Sequence, residues 1–476
     1  MTLKWRRPSL PFMDGYLSDD LTGLPDLLSA VRDYAAEVLA GLGERPAAAQ
    51  PKPASEEPLP GRGLGARGAL TRFAERWAPE FSASAGPRYL GFVTGGATPA
   101  AVAGDWLTSV FDQNAASAGD SSADGMERQV ISWLRELFGL TARHQGTFVS
   151  GSTVSNYVGL AVARQWLGKQ LGVDVSRSGL TGLGPVLVLS GTPHASISKA
   201  LSMAGIGRDS LRLVPVRPGR EAVDVSALKE ALRELGGRPA VVVANAGTVN
   251  TADFDDLGAI ARLRERYPFW LHVDGAFGAF AALSGEHAGL LDGLDEADSV
   301  CVDLHKWLNV PYDSAVQFTR HRDLQLEVFH NAAAYLGTPG AADPDPMHLV
   351  PENSRRLRAL PVWMTLAAYG RDGHQEIVER DIACARDLGA RIDGGRDLRL
   401  LAPVRLNVVC FTLAGDPSAE RVAAYADAVA ASGEAFVTTT VYAGIPALRA
   451  AFSNWRTVPA DTARVYDVLA KLAAAA

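Results

Sequence analysis

The segment ADSVCVDLHKWLNVPYDSAV, residues 297–316, places a lysine directly after a short apolar run. Residues 299–303 have the length and composition of a buried strand, and Lys306 follows its carboxyl end. A lysine at this position can point its amine into a cleft, where partial desolvation lowers the pKa and makes the amine a nucleophile. The alternative is a surface lysine whose stem lies along apolar neighbours.

A second apolar run of strand length, residues 269–273, ends at Asp274 and is followed by Gly275 and Ala276. If the two strands are parallel neighbours, Asp274 and Lys306 face one crevice, because ligands bind beyond the carboxyl ends of such strands. A protein carboxylate and a protein amine that face one small ligand suggest pyridoxal phosphate. Lys306 would form a Schiff base with it, and Asp274 would keep its ring nitrogen protonated. Taken alone, Asp274 is also typical of a turn.

An anion site is predicted in TFVSGSTVSN, residues 147–156. A short strand ends at Val149, and a helix is expected to begin near Ser152 and Thr153. Backbone N–H groups and hydroxyls at a helix N-terminus bind phosphate, although an ordinary N-cap has the same appearance. His194 follows another apolar run, GPVLVLS, so its imidazole could lie flat against a cofactor ring, or it could be a loop histidine.

Taken together and in this order, these segments resemble the group II pyridoxal-phosphate-dependent amino-acid decarboxylases, which include the aromatic-L-amino-acid decarboxylases and have PLP fold type I. The motifs that carry the resemblance are GST at 151–153, HASISKA with His194, HVDGA with Asp274 and ADS…HKW with Lys306. The resemblance runs from about Pro87 to the C-terminus. The cofactor-binding residues that it implies are Ser152, Thr153, His194, Thr248, Asp274, Ala276, His305 and Lys306.

The catalytic residues that the resemblance implies are Lys306, His194, Asp274 and Tyr335. Tyr335, in the Pro- and Gly-punctuated segment YLGTPGAADPDP, matches a family tyrosine that would deliver a proton to the substrate Cα. Without that proton, decarboxylation coupled to oxidative deamination would yield an aldehyde. A PLP-dependent aminotransferase and a non-catalytic binding protein with this fold are further alternatives. Phe92 and Val93 match side-chain pocket positions and favour an aromatic or bulky apolar substrate.

Three positions depart from the family pattern. Asp303 stands where many relatives have an asparagine near the phosphate, and a carboxylate there is unfavourable unless it is turned away, protonated or paired. Val249 replaces the second threonine of a Thr-Thr pair, which puts the cofactor contact of Thr248 in doubt; Asn245 or Asn250 could substitute. Val154 replaces a common glutamate.

Composition agrees with this interpretation. The chain has 476 residues, of which 47% are hydrophobic, enough for a large core and a second domain. The net charge of −7 argues against nucleic acid or an anionic membrane as a partner. No apolar run of transmembrane length and no signal-peptide pattern is present, and the three cysteines suggest reduced core residues, so a cytoplasmic location is expected. No CxxC or HExxH pattern indicates a metal site.

The alternation of strands and helices predicts an α/β protein with a mostly parallel sheet in a large domain, residues 87–350. Residues 351–476 suggest a small α+β domain, and residues 1–86 an N-terminal arm with one helix at 21–42 and a Pro-rich linker at 44–68. The resemblance implies a homodimer in which this arm wraps over the partner and the active site lies near the interface. The predicted strands of the large domain are 147–149, 186–190, 211–216, 240–245, 269–274, 299–303 and 315–319.

Overall fold

The computed structural model describes residues 15–53, 56–117, 121–331 and 344–475. Within these ranges a seven-stranded sheet has the order β1-β7-β6-β5-β4-β2-β3. Strands β6, β5, β4, β2 and β3 run parallel, and β7 is antiparallel to both β6 and β1. The strands are β1 (Gln145–Val149), β2 (Val188–Ser190), β3 (Leu211–Leu213), β4 (Ala240–Asn245), β5 (Phe269–Asp274), β6 (Ser299–Asp303) and β7 (Ala315–Thr319).

Helices flank this sheet and form most of the remaining structure. They are α1 (Gly15–Thr22), α2 (Leu24–Ala40), α3 (Gly65–Arg76), α4 (Pro99–Phe111), α5 (Ala123–Leu137), α6 (Ser152–Gln170), α7 (Val175–Ser178), α8 (Ala195–Met203), α9 (Val225–Arg233), α10 (Leu257–Arg262), α11 (Leu304–Trp307), α12 (Arg322–Phe329), α13 (Ala359–Asp393), α14 (Ala419–Ala431) and α15 (Pro459–Ala473). The expected α/β class with a mostly parallel sheet is confirmed.

The central strands are buried on both faces, which explains why they appear in the sequence as continuous apolar runs. In β4, Val241 and Val243 pack with Leu160 of α6 in one apolar cluster. Val242 and Ala244, which alternate with them, belong to the cluster on the opposite face of the sheet. Because both faces need apolar side chains, the bounds of β4, β5, β6 and β7 agree with those predicted from the sequence.

The C-terminal part contains a four-stranded antiparallel sheet of order β10-β11-β9-β8. Its strands are β8 (Leu398–Leu400), β9 (Val408–Leu413), β10 (Thr438–Tyr442) and β11 (Ile445–Ala451). The sequence pattern of the small domain predicts the last two strands around residues 435–441 and 448–454, farther apart than the structure has them. Ala443 and Gly444 both have positive φ, 49° and 79°, and so form a tight two-residue hairpin turn that places the strands closer together.

Two segments connect the parts of the chain. The Leu90 N–H donates to the Phe436 carbonyl, and the Leu90 carbonyl accepts from Ala451, so the start of the predicted large domain pairs with the C-terminal sheet. Helix α13 is kinked at Gly370, and Val362 before the kink packs in the core of the larger sheet. The division into residues 1–86, 87–350 and 351–476 therefore stays a proposal. The segment around Leu90 and helix α13 each contact both of the last two proposed domains.

The N-terminal arm differs from its prediction in two ways. The single helix expected at 21–42 is divided at Gly23, where α1 ends and α2 begins with Pro25 in its first turn, a position that proline favours. The expected linker at 44–68 ends in helix α3, which starts at Gly65. Within the described ranges, no helix combines the length and apolar character needed to cross a membrane.

Candidate active site

A cavity of about 260 Å³ opens at the carboxyl ends of β2, β4, β5 and β6. The predicted site residues that line it are Phe92, Val93, Ser152, His194, Thr248, Asp274, Ala276, His305 and Lys306. Thr153 follows Ser152 in the first turn of α6 but is not among the lining residues. Tyr335 lies outside the residues that the structure describes.

The Lys306 amine lies beside a carboxylate. Its Nζ is 3.0 Å from Asp303 Oδ2 and 5.9 Å from the centre of the Phe277 ring. Burial by itself lowers the pKa of Lys306, but the charges of Asp303 and Asp274 outweigh burial and raise this pKa above its usual value. The expectation of a lowered pKa was therefore wrong, because it considered desolvation without these two counter-ions.

Asp274, at the end of β5, is held by two donors. Its Oδ2 accepts a hydrogen bond from Asn156 Nδ2 at 3.1 Å, and its Oδ1 accepts one from the Ala276 N–H at 3.2 Å. Asp274 is only 6% exposed, so these donors are a large part of what compensates its burial. They orient the carboxylate in the cavity wall, where it can bind a protonated ring nitrogen.

Asn156 links Asp274 to a buried polar chain. Its Oδ1 accepts from His272 Nε2 at 2.9 Å, and its Nδ2 also donates to Ser196 Oγ at 3.1 Å. His272 Nδ1 is 2.7 Å from Ser299 Oγ, and burial lowers the pKa of His272 to about 4, so the ring is neutral. Since Asn156 Oδ1 can only accept, the His272 proton is on Nε2.

The same chain orients His194. The Ser196 N–H donates to His194 Nδ1 at 3.2 Å, and the Ser196 hydroxyl lies 2.8 Å from the same nitrogen. A nitrogen that accepts from a backbone N–H carries no proton, so the neutral ring has its hydrogen on Nε2. Burial is the main cause that lowers the pKa of His194, which favours this neutral form.

The amino end of α6 reaches the cavity through Ser152. The Ser152 N–H donates to Asp303 Oδ1 at 2.7 Å. The Asp303 carboxylate is therefore paired, with this N–H and with the Lys306 amine.

The hydroxyl of Thr248 does not point its hydrogen into the cavity. It donates to Glu221 Oε2 at 2.5 Å. The amides of both possible substitutes also donate to carboxylates, Asn245 to Asp255 and Asn250 to Glu221.

Several lining residues were missed in the sequence. They are Thr192, Gly247, Phe277, Tyr312 and Arg449. Arg449 lies on β11, far along the chain from the motifs, and donates to the Val249 carbonyl at 3.0 Å. The ring of Tyr312 contacts that of His305, with ring centres 4.2 Å apart and planes tilted by 34°. The segment YDSAV after the HKW motif contained Tyr312, but no local pattern pointed to Arg449.

The chemistry of these groups fits pyridoxal phosphate. One cavity brings together an amine for the aldehyde, a carboxylate for the ring nitrogen, a histidine beside them and a helix N-terminus. Lys306 and Asp274 would hold the two reactive ends of the cofactor. Ser152 at the start of α6 would face its phosphate, and His194 would lie against the ring.

Comparisons with known proteins indicate the same cofactor. The family described as "Pyridoxal-dependent decarboxylase conserved domain" matches residues 71–414. The aromatic-L-amino-acid decarboxylase of Bacillus atrophaeus is 31% identical over 333 residues, which are 68% of this chain and 67% of that protein. The L-2,4-diaminobutyrate decarboxylase of Rhizobium meliloti (strain 1021) is 30% identical over 389 residues, 78% of this chain and 75% of that protein.

The fold has a solved counterpart in the Oryza sativa TDC crystallised with PLP and tryptamine. The two structures superpose with a TM-score of 0.88 at 22% sequence identity, covering 98% of this chain and 99% of the other. Pyridoxal phosphate is thus the cofactor, and the activity is that of a PLP-dependent carboxy-lyase. With a family match that spans most of its length and a cavity equipped for this cofactor, the chain belongs to the pyridoxal-dependent decarboxylase family.

Proposed function

We propose that the protein decarboxylates an L-amino acid with an aromatic or bulky apolar side chain, releasing CO2 and the amine. The observation that carries the substrate class is the apolar part of the cavity wall, formed by Phe92, Val93 and Tyr312. Phe92 and Tyr312 are 56% and 60% exposed, so their rings are available to a ligand instead of being used in the core. Aromatic rings of this kind favour an aromatic or bulky apolar partner.

Arg449 supports recognition of the substrate carboxylate. Its side chain lines the cavity, is only 9% exposed and is the one guanidinium among the described lining residues. A guanidinium in a partly desolvated site binds a carboxylate through charge-assisted hydrogen bonds. We assign Arg449 to the α-carboxylate, because the apolar part of the wall formed by Phe92, Val93 and Tyr312 suits the side chain.

The bound cofactor supplies a protonated ring that accepts the electron pair left on Cα when the carboxylate departs as CO2. Asp274 would hold the proton at the ring nitrogen, and the hydrogen bonds from Asn156 and the Ala276 N–H fix the orientation of this carboxylate. Lys306, whose amine lies in the cavity, would hold the aldehyde end of the cofactor until an amino acid binds. His194 lies in the same cavity, where its Nε2–H could donate a hydrogen bond to the substrate. Tyr335 is proposed as the acid that protonates Cα.

The test is to incubate the protein with a mixed pool of L-amino acids and to identify the products by mass spectrometry. We expect CO2 and an aromatic or bulky apolar amine in equal amounts. An aldehyde with hydrogen peroxide would instead indicate oxidative deamination, and a keto acid without CO2 would indicate an aminotransferase. Either of those products as the main one would contradict the proposal, and an amine derived from a small or charged amino acid would contradict the substrate class.

Phe92→Ala is expected to raise KM for the preferred amino acid about tenfold, since removal of one apolar wall costs on the order of 1–3 kcal/mol of binding. The effect on kcat should be small, because Phe92 is proposed to contact the side chain and not the reacting bonds. The control is Phe81→Ala, which removes a ring of similar exposure, 54%, outside the cavity. Equal effects of the two variants on KM would argue against a substrate contact.

A second copy of the chain is proposed as the partner. In the described part of the chain, the arm helices α1, α2 and α3 contain no buried residue. Their exposed residues include the apolar Leu17 and Leu28. Helix α4 also exposes Val110 and Phe111. Such apolar surfaces are typical of subunit interfaces. Sedimentation analysis should give the mass of a dimer, and a monomer at micromolar concentration would contradict this assignment.

A further inference from the structure

Asp303 is a buried carboxylate placed between the amino end of α6 and the reactive lysine. It is 1% exposed. Its Oδ1 accepts from the Ser152 N–H at 2.7 Å, and its Oδ2 lies 3.0 Å from Lys306 Nζ and 3.6 Å from His305 Nε2. Burial alone would raise the pKa of Asp303, but Lys306 and His305 reverse this and lower it, so the side chain is an anion.

The Ser152 N–H belongs to the first turn of α6, where the proposed cofactor site has its phosphate end. The positive end of a helix binds whichever anion lies closest to its free N–H groups. Here that anion is part of the protein. A phosphate approaching the same helix end meets a carboxylate already bound to it, and two like charges in a poorly solvated site repel each other strongly.

We propose that Asp303 is a resident anion that competes with the cofactor phosphate for the amino end of α6. Before the cofactor binds, Asp303 neutralises Lys306 and occupies the Ser152 N–H. When the cofactor binds, its phosphate would have to share the N–H groups of this helix end with Asp303 or displace the carboxylate from them. The free energy needed for this weakens the binding of the phosphate. The phosphate therefore contributes less to cofactor retention than it would with an uncharged side chain at position 303.

The test compares two ligands that differ only in the phosphate, pyridoxal phosphate and pyridoxal, binding to the cofactor-free protein. Absorbance of the bound chromophore gives Kd for each, and the ratio of the two constants isolates the phosphate. Asp303→Asn is expected to increase the preference for the phosphorylated ligand about tenfold, from the loss of one nearby like charge. Any effect on the amine of Lys306 applies to both ligands and cancels in the ratio.

The control is Asp274→Asn, which removes one negative charge from the same cavity at the ring-nitrogen end. It should change both dissociation constants and leave their ratio unaltered. Asp303→Ser is a second uncharged variant in case the asparagine disturbs folding, and it should shift the ratio in the same direction. Inorganic phosphate should likewise bind more tightly to the cofactor-free Asp303→Asn protein than to the wild type.

If neither position-303 variant prefers pyridoxal phosphate over pyridoxal more strongly than the wild type does, the proposal is overturned. The same holds if Asp274→Asn increases this preference by an equal factor. The proposal rests on the phosphate end being at α6, but not on the identity of the amino acid substrate. Because neither ligand requires turnover, a wrong substrate class would leave these ratios as expected. Conversely, a failed ratio test with intact amine production would refute the role of Asp303 alone.

Discussion

Replacement of Lys306 by alanine is expected to lower kcat at least about a thousandfold, because the variant lacks the amine that we propose as the anchor of the cofactor. The amine lies in the cavity 3.0 Å from Asp303, so the variant also leaves that buried carboxylate without its nearest cation. Steady-state amine production by the purified, cofactor-supplemented protein measures the loss.

Two further variants separate the chemistry from the charge. Lys306→Arg retains a cation for Asp303 but cannot form the Schiff base, so it should be as inactive as the alanine variant. Lys199→Ala removes a surface lysine of α8 and should be fully active. Borohydride treatment of the wild type should leave a pyridoxyl group on Lys306. A tenth or more of wild-type turnover in Lys306→Ala would refute the assigned role.

The second large effect is expected at Asp274. Asp274→Ala should reduce kcat about a hundredfold to a thousandfold, because the cofactor ring would lose the charge-assisted partner that we propose for its nitrogen and would accept electrons less readily. The loss should appear in kcat more than in KM, since the interaction matters most when charge flows into the ring. The absorbance spectrum of the bound cofactor should change as well, which a purely structural defect would not cause.

Asp274→Glu is the matched control because it keeps the charge and changes only the reach of the carboxylate. We expect it to recover part of the activity that alanine loses. Asn156→Ala tests the support of Asp274 from behind: it should lower kcat by a smaller factor, about tenfold, through loss of one hydrogen bond to a charged group. Wild-type activity and an unchanged cofactor spectrum in Asp274→Ala would contradict the proposed contact.

Much of the architecture could be predicted from local pattern. Strands β4 and β5 are mainly apolar runs, interrupted in β5 only by His272, that end at a polar residue, so their bounds follow from the sequence. Where a strand end depends on pairing partners, the prediction was less accurate: β3 ends at Leu213, whereas a strand to residue 216 was expected. The predicted connection between β10 and β11 was longer than the two-residue turn in the structure, because this turn depends on backbone dihedral angles and not on composition.

The positions of Lys306, Asp274 and His194 at or just beyond strand ends follow from the amino-acid sequence, because strand bounds and short motifs are local properties of the chain. The surroundings of these residues depend on the folded chain: Arg449 reaches the cavity from β11, and Asn156 connects Asp274 to His272 inside the protein. The same holds for the raised pKa of Lys306, which depends on two carboxylates brought close by folding. Electrostatic and hydrogen-bonded environments arise between segments distant in sequence, so no local pattern contains them.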